Sequence, residues 1–262
     1  MHPILNTAVK AARRAGTLIV RYIDYADRLE VTEKGRNDFV SEVDEAAEAE
    51  IITVIKAAYP DHAIVAEESG TTAGREYEWV IDPLDGTTNF LHGYPQFAVS
   101  IAVRRNSELR HAVIFDPLKN ELFTASKGDG AHLNNHRIRV SRVVRMRAAL
   151  IGTGFPFKHL EHLDTWISTF KILITHSSGI RRAGSAALDL AYVACGRFDG
   201  FWEMGLKQWD MAAGCLLVEE AGGLITDFAG RQQHLATGNI IAGNPAIHPE
   251  LLAVIRAQIP AN

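Results

Sequence analysis

The chain has only two cysteines in 262 residues, Cys195 and Cys215, and no Cys-x-x-Cys or Cys/His ligand spacing. A disulfide framework and structural zinc are therefore excluded. Both thiols sit in apolar helical stretches and read as buried and reduced. No run of 18 apolar residues occurs, which argues against a membrane-spanning helix. Positive charge is not in excess either: 27 Lys and Arg stand against 31 Asp and Glu, a net charge of −4. General nucleic-acid binding needs surplus cations, so it is disfavoured, while a local basic patch stays open. Internal repeats, low-complexity segments and Pro/Ser-rich linkers are lacking. Met1-His2-Pro3-Ile4-Leu5 runs on to Lys10, Arg13 and Arg14 with no basic segment ahead of an apolar core. No export signal is read from it, and a cytoplasmic protein is expected.

What is present is globular in character, with 47% hydrophobic and 22% charged residues. That excludes a disordered tail, a collagen and a disulfide-dense module. A chain of this length buries roughly three quarters of its unfolded surface and needs no staple.

Ile4, Leu5, Ala8, Ala12, Ala15, Leu18, Ile19 and Tyr22 form a helical apolar stripe. A second helix is expected from about Ser41, where Ser41 and Asp44 have capping-box spacing. Short apolar runs at 63–66 and 79–81 read as strands, as does the alternating run Phe97, Val99, Ile101, Val103. Strands at 112–115 and 121–124 flank the hairpin-like loop Asp116–Asn120, and Asn134-Asn135 marks a turn. Beyond residue 145 strands alternate with helices. Strands are expected near 150–151, 198–202, 224–226 and 240–242, and helices near 163–175, 185–194, 210–221 and 249–258. This predicts an N-terminal α+β half, 1–145, joined to a C-terminal α/β half, 146–262, as one catalytic unit.

The informative segment is Trp79-Val80-Ile81-Asp82-Pro83-Leu84-Asp85-Gly86-Thr87-Thr88-Asn89-Phe90. An apolar strand ends on an acid, and Pro83 keeps Asp82 extended. Asp85-Gly86-Thr87-Thr88 reads as a helix start, with Gly86 allowing close approach to the backbone and its neighbours' amides able to cradle a phosphate. Two acids so near one another stay ionised only beside a cation, and oxygen ligation favours Mg²⁺. Glu67, Glu68 and Asp210 could share such ions. Alone, each reads more simply: Glu67-Glu68 as a solvated face, Asp210 as an N-cap.

Together these motifs resemble the inositol monophosphatase family. The resemblance rests on Asp82 to Phe90, on Trp209-Asp210-Met211-Ala212-Ala213-Gly214 followed by Glu220-Ala221-Gly222-Gly223, on Glu67-Glu68-Ser69, and on Asp38-Phe39-Val40-Ser41-Glu42-Val43-Asp44. It runs end to end and implies a layered αβαβα sandwich of the inositol monophosphatase and fructose-1,6-bisphosphatase type. The implied activity is Mg²⁺-dependent hydrolysis of inositol 1-phosphate, inhibited by lithium, in a homodimer. Two to three Mg²⁺ are implied. Glu67, Asp82 and the carbonyl of Leu84 would hold the first ion, Asp82, Asp85 and Asp210 the second, and a weaker third would sit near Glu67. Glu67, Asp82, Thr87 and Asp44 would carry the chemistry, the last two orienting the attacking water. The amides of Gly86 and Thr87 would bind phosphate beside Leu84 and Asp210. Asp85, Gly184, Ser185, Ala186 and Glu203 would meet the inositol, with Arg181 nearby. Lys34 stands where the family has a lysine near the site, one residue closer to Asp38.

Haloacid-dehalogenase phosphatases use Asp-x-Asp, but here Pro83 and Leu84 separate the acids. Phosphatases for fructose bisphosphate, phosphoadenosine phosphate or histidinol phosphate share the metal cage, whereas Glu203 and Gly184-Ser185-Ala186 lean towards inositol phosphate. A bacterial branch of the family is associated with transcription complexes on ribosomal RNA genes, so the resemblance also implies RNA polymerase and Nus factors as partners. Arg137, Arg139, Arg142, Arg145 and Arg147 make a basic stripe, which reads first as a solvated hairpin edge. His159 and His162 read as a surface pair. Gly152-Thr153-Gly154-Phe155-Pro156 lacks the Lys-Ser/Thr of a P-loop and reads as a turn.

Overall fold

The computed structural model describes residues 2–23, 31–35, 38–157 and 160–259. Helix α1 (Pro3–Tyr22) starts on a proline whose missing amide costs nothing there, and His2 Nδ1 accepts from the Ile4 amide at 3.2 Å. Strands β1 (Val31–Gly35) and β2 (Asp38–Ser41) form an antiparallel hairpin that leads into α2 (Glu42–Ala58). The expected capping box is present: the Ser41 amide donates to Asp44 Oδ2 at 2.8 Å, and Ser41 Oγ accepts from the Val43 amide at 3.3 Å.

There follow β3 (Ala63–Ala66), β4 (Gly70–Thr72), β5 (Glu78–Asp85), α3 (Thr87–Leu91), β6 (Ala98–Arg105), β7 (Glu108–Asp116), β8 (Glu121–Ser126), β9 (Gly130–Leu133) and β10 (His136–Arg137). Eight of these strands make one sheet in the order β10-β9-β8-β7-β6-β5-β3-β4. All its pairs are antiparallel except β3 with β5. Asn134 and Asn135 both adopt positive φ between β9 and β10, the geometry of a tight two-residue hairpin turn.

The second half adds β11 (Leu150–Thr153), α4 (Leu163–His176), β12 (Gly179–Arg181), α5 (Ala186–Ala194), β13 (Gly200–Glu203), α6 (Gln208–Glu220), β14 (Leu224–Thr226), α7 (His234–Thr237), β15 (Ile240–Gly243) and α8 (Ile247–Arg256). Its five strands order as β12-β11-β13-β15-β14.

Alternation along the strands assigns the layers. Trp79, Ile81, Ile101 and Val103 pack on α1 and α2, while Val80, Ala98, Ala102 and Ile114 pack on α5 and α6. The smaller sheet turns Phe201, Ile240 and Ala242 to α5 and α6, and Ile151, Trp202 and Ile241 to α4 and α8. The result is the expected αβαβα sandwich. α6 lies between both sheets, so it is apolar all round, unlike α1 with its single stripe. Among the described residues no helix is long and apolar enough to cross a membrane.

Two elements differ in their bounds from expectation. α6 begins at Gln208, which makes Asp210 its third residue rather than its cap. There it reaches back to the Lys207 amide at 2.7 Å. The strand expected from Phe198 begins at Gly200. Strands β1, β2, β4, β9, β10 and β12 and helix α7 are not legible in the sequence, being short segments without a continuous apolar run. The Lys34 side chain and His159 lie outside the described residues.

Candidate active site

Asp82 and Asp85 are three positions apart on β5, and regular pleating would point them to opposite faces. The ladder with β6 prevents this. Asp82 pairs with Ser100 but Asp85 with Ala98, so β5 carries one extra residue between them. That bulge, at a proline with no amide to donate, returns both acids to one side. It also takes the Leu84 carbonyl out of the ladder. Gly86 follows with φ of 101°, and a Cβ there would come within 2.9 Å of the Gln96 carbonyl, so only glycine fits this turn into α3.

Two distant stretches bring further acids. β3 runs parallel to β5, and the Glu67 amide donates to Ile81 O at 3.2 Å, which carries Glu67 to the level of Asp82. Asp210 arrives on the first turn of α6, whose Trp209 carbonyl accepts from Ser100 Oγ at 3.3 Å. Asp82 is only 1% exposed. Burial pushes its carboxyl well above the usual range, and the negative charges of Glu67, Asp85 and Asp210 push it further. Its Oδ1 accepts from the Leu84 amide at 3.0 Å.

Glu67, Asp82, Leu84, Asp85 and Asp210 border one cleft of about 550 Å³, together with Gly86, Thr87 and Thr88. Among the described residues, no group of three or more His, Cys, Asp or Glu side chains forms a ready metal shell. The donor set nevertheless fits a hard divalent cation. It is all oxygen, and it gathers more negative charge around a buried carboxyl than water-free surroundings tolerate without a cation.

Thr87 Oγ1 donates to Asp44 Oδ1 at 2.8 Å and lies 3.2 Å from Leu84 O. Asp44 is buried behind Thr87 and does not line the cleft itself. Burial raises its carboxyl, opposed by hydrogen bonds from Ser41 and Thr87.

The opposite wall is formed by Gly154–Phe157, Arg182, Gly184–Ala186 and Glu203–Lys207. A Cβ on Gly154 would stand 1.7 Å from Glu203 Oε1, so this glycine is what lets the Glu203 carboxylate lie across the cleft. Arg181 does not line the cleft; its neighbour Arg182 does. Arg181 is the last residue of β12, and Arg182 lies in the loop just beyond it that leads to α5. Arg182 packs its guanidinium 4.7 Å from the Phe155 ring centre and 5.5 Å from that of Phe157.

Sequence reasoning passed over several contributors. Asn89 ties the walls together by donating to Gln96 O at 2.7 Å and Ala183 O at 2.9 Å. Asp189 on α5 is 1% exposed with Oδ1 unpartnered, and burial followed by the charges of Glu203 and Asp85 pushes its carboxyl well up. The turn expected at Gly154-Phe155-Pro156 is part of the cleft wall, and a glycine directly after a strand was the available signal.

The sequence profile of the inositol monophosphatase family matches residues 1–260. The Nus factor SuhB of Pseudomonas aeruginosa is 53% identical over 266 residues, covering 99% of this chain and 98% of that protein. The Nus factor SuhB of Escherichia coli K12 is 52% identical over 261 residues, with coverage of 99% and 98%. Among solved structures, extragenic suppressor protein SuhB of Bartonella henselae superposes with a TM-score of 0.96 at 44% identity, covering 98% of this chain and all of that one. The inositol monophosphatase of Anabaena superposes with a TM-score of 0.87 at 41% identity, with coverage of 98% and 96%.

Proposed function

Because the chain belongs to the inositol monophosphatase family, and so is a phosphatase by descent, we propose that it hydrolyses inositol 1-phosphate with Mg²⁺ as cofactor. One observation carries this reading: four carboxyl groups from three separate stretches border a single cleft beside the Gly86 turn. Glu67, Asp82, Asp85, Asp210 and the Leu84 carbonyl would hold two ions, with a weaker third near Glu67. Bound Mg²⁺ supplies charge neutralisation for the phosphate and a lowered pKa for a water.

The chain's own groups do the rest. The Gly86 and Thr87 amides receive phosphate oxygens. Thr87, its hydroxyl fixed by Asp44, orients the water for in-line attack on phosphorus. Asp85, Ser185, Ala186 and Glu203 receive the inositol hydroxyls beside Gly184, and Arg182 rather than Arg181 stands at that end. Positioning and electrostatics carry most of such a reaction, and no phosphoenzyme is formed. The same reading includes lithium inhibition, a cytoplasmic homodimer, and the family preference for inositol phosphate over fructose bisphosphate, phosphoadenosine phosphate or histidinol phosphate.

The test is phosphate release from a panel of those substrates with and without Mg²⁺ and Li⁺. Inositol 1-phosphate should turn over only with Mg²⁺, Li⁺ should inhibit, and Asp82→Asn should lose activity by a factor of at least about 10². Metal-independent turnover, or a trapped aspartyl-phosphate, would sink it.

A second, separable role is favoured by one surface feature. Arg137, Arg139, Arg142, Arg145 and Arg147 are all exposed, and among the described residues none of them forms an ion pair. We propose that this stripe, which runs along the chain from β10 to just before β11, serves a partnership with RNA polymerase and Nus factors; the name Nus factor carried by the relatives supports this reading. Pull-down of those factors by the wild-type chain and by Asp82→Asn, but not by a variant with the five arginines changed to serine, is the expected result.

A further inference from the structure

α2 carries two buried acids one helical turn apart, Asp44 at 1% and Glu48 at 2% exposure. Positions i and i+4 lie on one face, so both point into the same side of the fold. Asp44 holds Thr87. Glu48 has no place in the chemistry described above, yet both its carboxylate oxygens are engaged. Oε2 accepts from the Glu68 amide at 2.8 Å and Oε1 from the Ser69 amide at 2.7 Å. Those are the two amides directly after Glu67.

Glu67 therefore sits between two fixed points. On one side its own amide donates to Ile81 O, the last link of the β3–β5 ladder. On the other, the chain is pinned to α2 by Glu48. Glu67 opens the three-residue turn that joins β3 to β4, closed by the Ala66–Gly70 pair. Within that turn the Glu48 contacts fix the two amides that follow it, and a shift of about 1 Å at a ligand is enough to weaken a site.

We propose that Glu48 is a positioning residue that sets where the Glu67 carboxylate stands relative to Asp82, and that α2 acts as a rigid rule joining this carboxylate to the Thr87–Asp44 pair. The inference rests on the reading of Glu67 as a metal ligand. It adds a residue outside the ligand set whose loss is felt as metal affinity.

A built-in comparison exists elsewhere in the molecule. Glu220, at the far end of α6, accepts from the Gly128 and Gly130 amides, both at 2.9 Å, by the same chemistry but away from the cleft. Glu48→Gln and Glu220→Gln both remove one carboxylate oxygen from a pair of amides, so they separate a role at the site from a role in stability.

The experiment is calorimetric titration of Mg²⁺ into the full-length protein and its variants, with thermal unfolding of each. Glu48→Gln should raise the Mg²⁺ dissociation constant by about tenfold or more, the scale expected for supports of ligating groups. Glu220→Gln should lower the unfolding midpoint with Mg²⁺ affinity unchanged. In a Glu67→Gln background, Glu48→Gln should weaken Mg²⁺ binding no further, because the only route of its effect is gone. If Glu48→Gln does not fold, Glu48→Asp, which keeps the charge but falls one methylene short, should show the same loss. The inference is overturned if Glu67→Gln weakens Mg²⁺ binding but the Glu48 variants stay within twofold of wild type. If Glu67→Gln itself leaves Mg²⁺ binding unchanged, the metal-ligand reading falls and this inference falls with it.

Discussion

The Asp85 carboxylate caps the helix that Ser185 begins: Oδ2 accepts from Ser185 Oγ at 2.6 Å and from the Ala187 amide at 2.7 Å. A strand end of the large sheet is thereby bonded to the first turn of α5, and an acid meets the positive end of a helix. Ser185→Ala removes the hydroxyl from this arrangement and from the Leu188 amide, 3.4 Å away. The expected cost is about 1 kcal/mol of stability. Because Asp85 also loses a fixed partner, the Mg²⁺ concentration for half-maximal activity should rise severalfold. A urea midpoint and a Mg²⁺ titration check the two parts, and an unchanged Mg²⁺ requirement would detach Ser185 from the site.

Gly154→Ala tests the substrate wall. The backbone there accepts any residue, but the new methyl occupies the space of the Glu203 carboxylate, 1.7 Å from Oε1. Glu203 can swing aside, so the fold should survive while the alcohol loses a partner. KM for inositol 1-phosphate should rise about tenfold, in line with one lost hydrogen bond to a charged group, with Mg²⁺ affinity kept. Unaltered KM would mean that Glu203 does not contact the alcohol.

The legible parts of this protein are local ones. Ser41 and Asp44 meet because a helix start brings positions three apart together, and Asp82 to Thr87 could be read as a strand, a turn and a helix start. What escaped depends on partners far along the chain. The bulge that turns Asp82 and Asp85 to one side is a property of the pairing between β5 and β6, not of β5. Glu48 looks like any acid on an amphipathic helix until β3 is placed against it. Arg181 closes a three-residue strand and Arg182 lies just beyond it, and so short an element gives no pattern that tells which of the two reaches the cleft.

His111 sets a pH dependence remote from the cleft. It stacks on His2 at 4.5 Å, and its Nδ1 lies 2.8 Å from Ser126 Oγ. Burial, then the charge of His2, lowers it from 6.5 to about 4. The unfolded imidazole takes up a proton near pH 6.5 while the folded one resists until about 4, so stability falls as pH drops through that window. The loss is at most about 3.5 kcal/mol at roughly 1.4 kcal/mol per unit, less with solvent screening. His111→Gln cannot titrate, and its urea midpoint should change less between pH 7 and pH 4.5 than that of wild type. Parallel curves for the two proteins would refute the assignment.

Asp82 links stability to function in the opposite sense. Its folded carboxyl titrates well above the ordinary 3.8, because burial and three neighbouring acids oppose its charge. A raised carboxyl stabilises the fold at low pH, and that contribution is lost as pH rises from 3.8 towards the folded value. At neutral pH the metal-free protein therefore bears a cost at this position, which a divalent cation relieves. Asp82→Asn keeps an oxygen for the Leu84 amide but carries no charge. In EDTA it should unfold at a higher midpoint than wild type, because the buried charge that its three acidic neighbours oppose is gone. With Mg²⁺ the order should reverse, since wild type gains stability from binding and the variant gains little. Raising the pH should enlarge the Mg²⁺-induced gain of wild type, as proton and cation compete for the same oxygens. An Asp82→Asn protein less stable than wild type in EDTA would show that the acids are spaced well enough to ionise unaided.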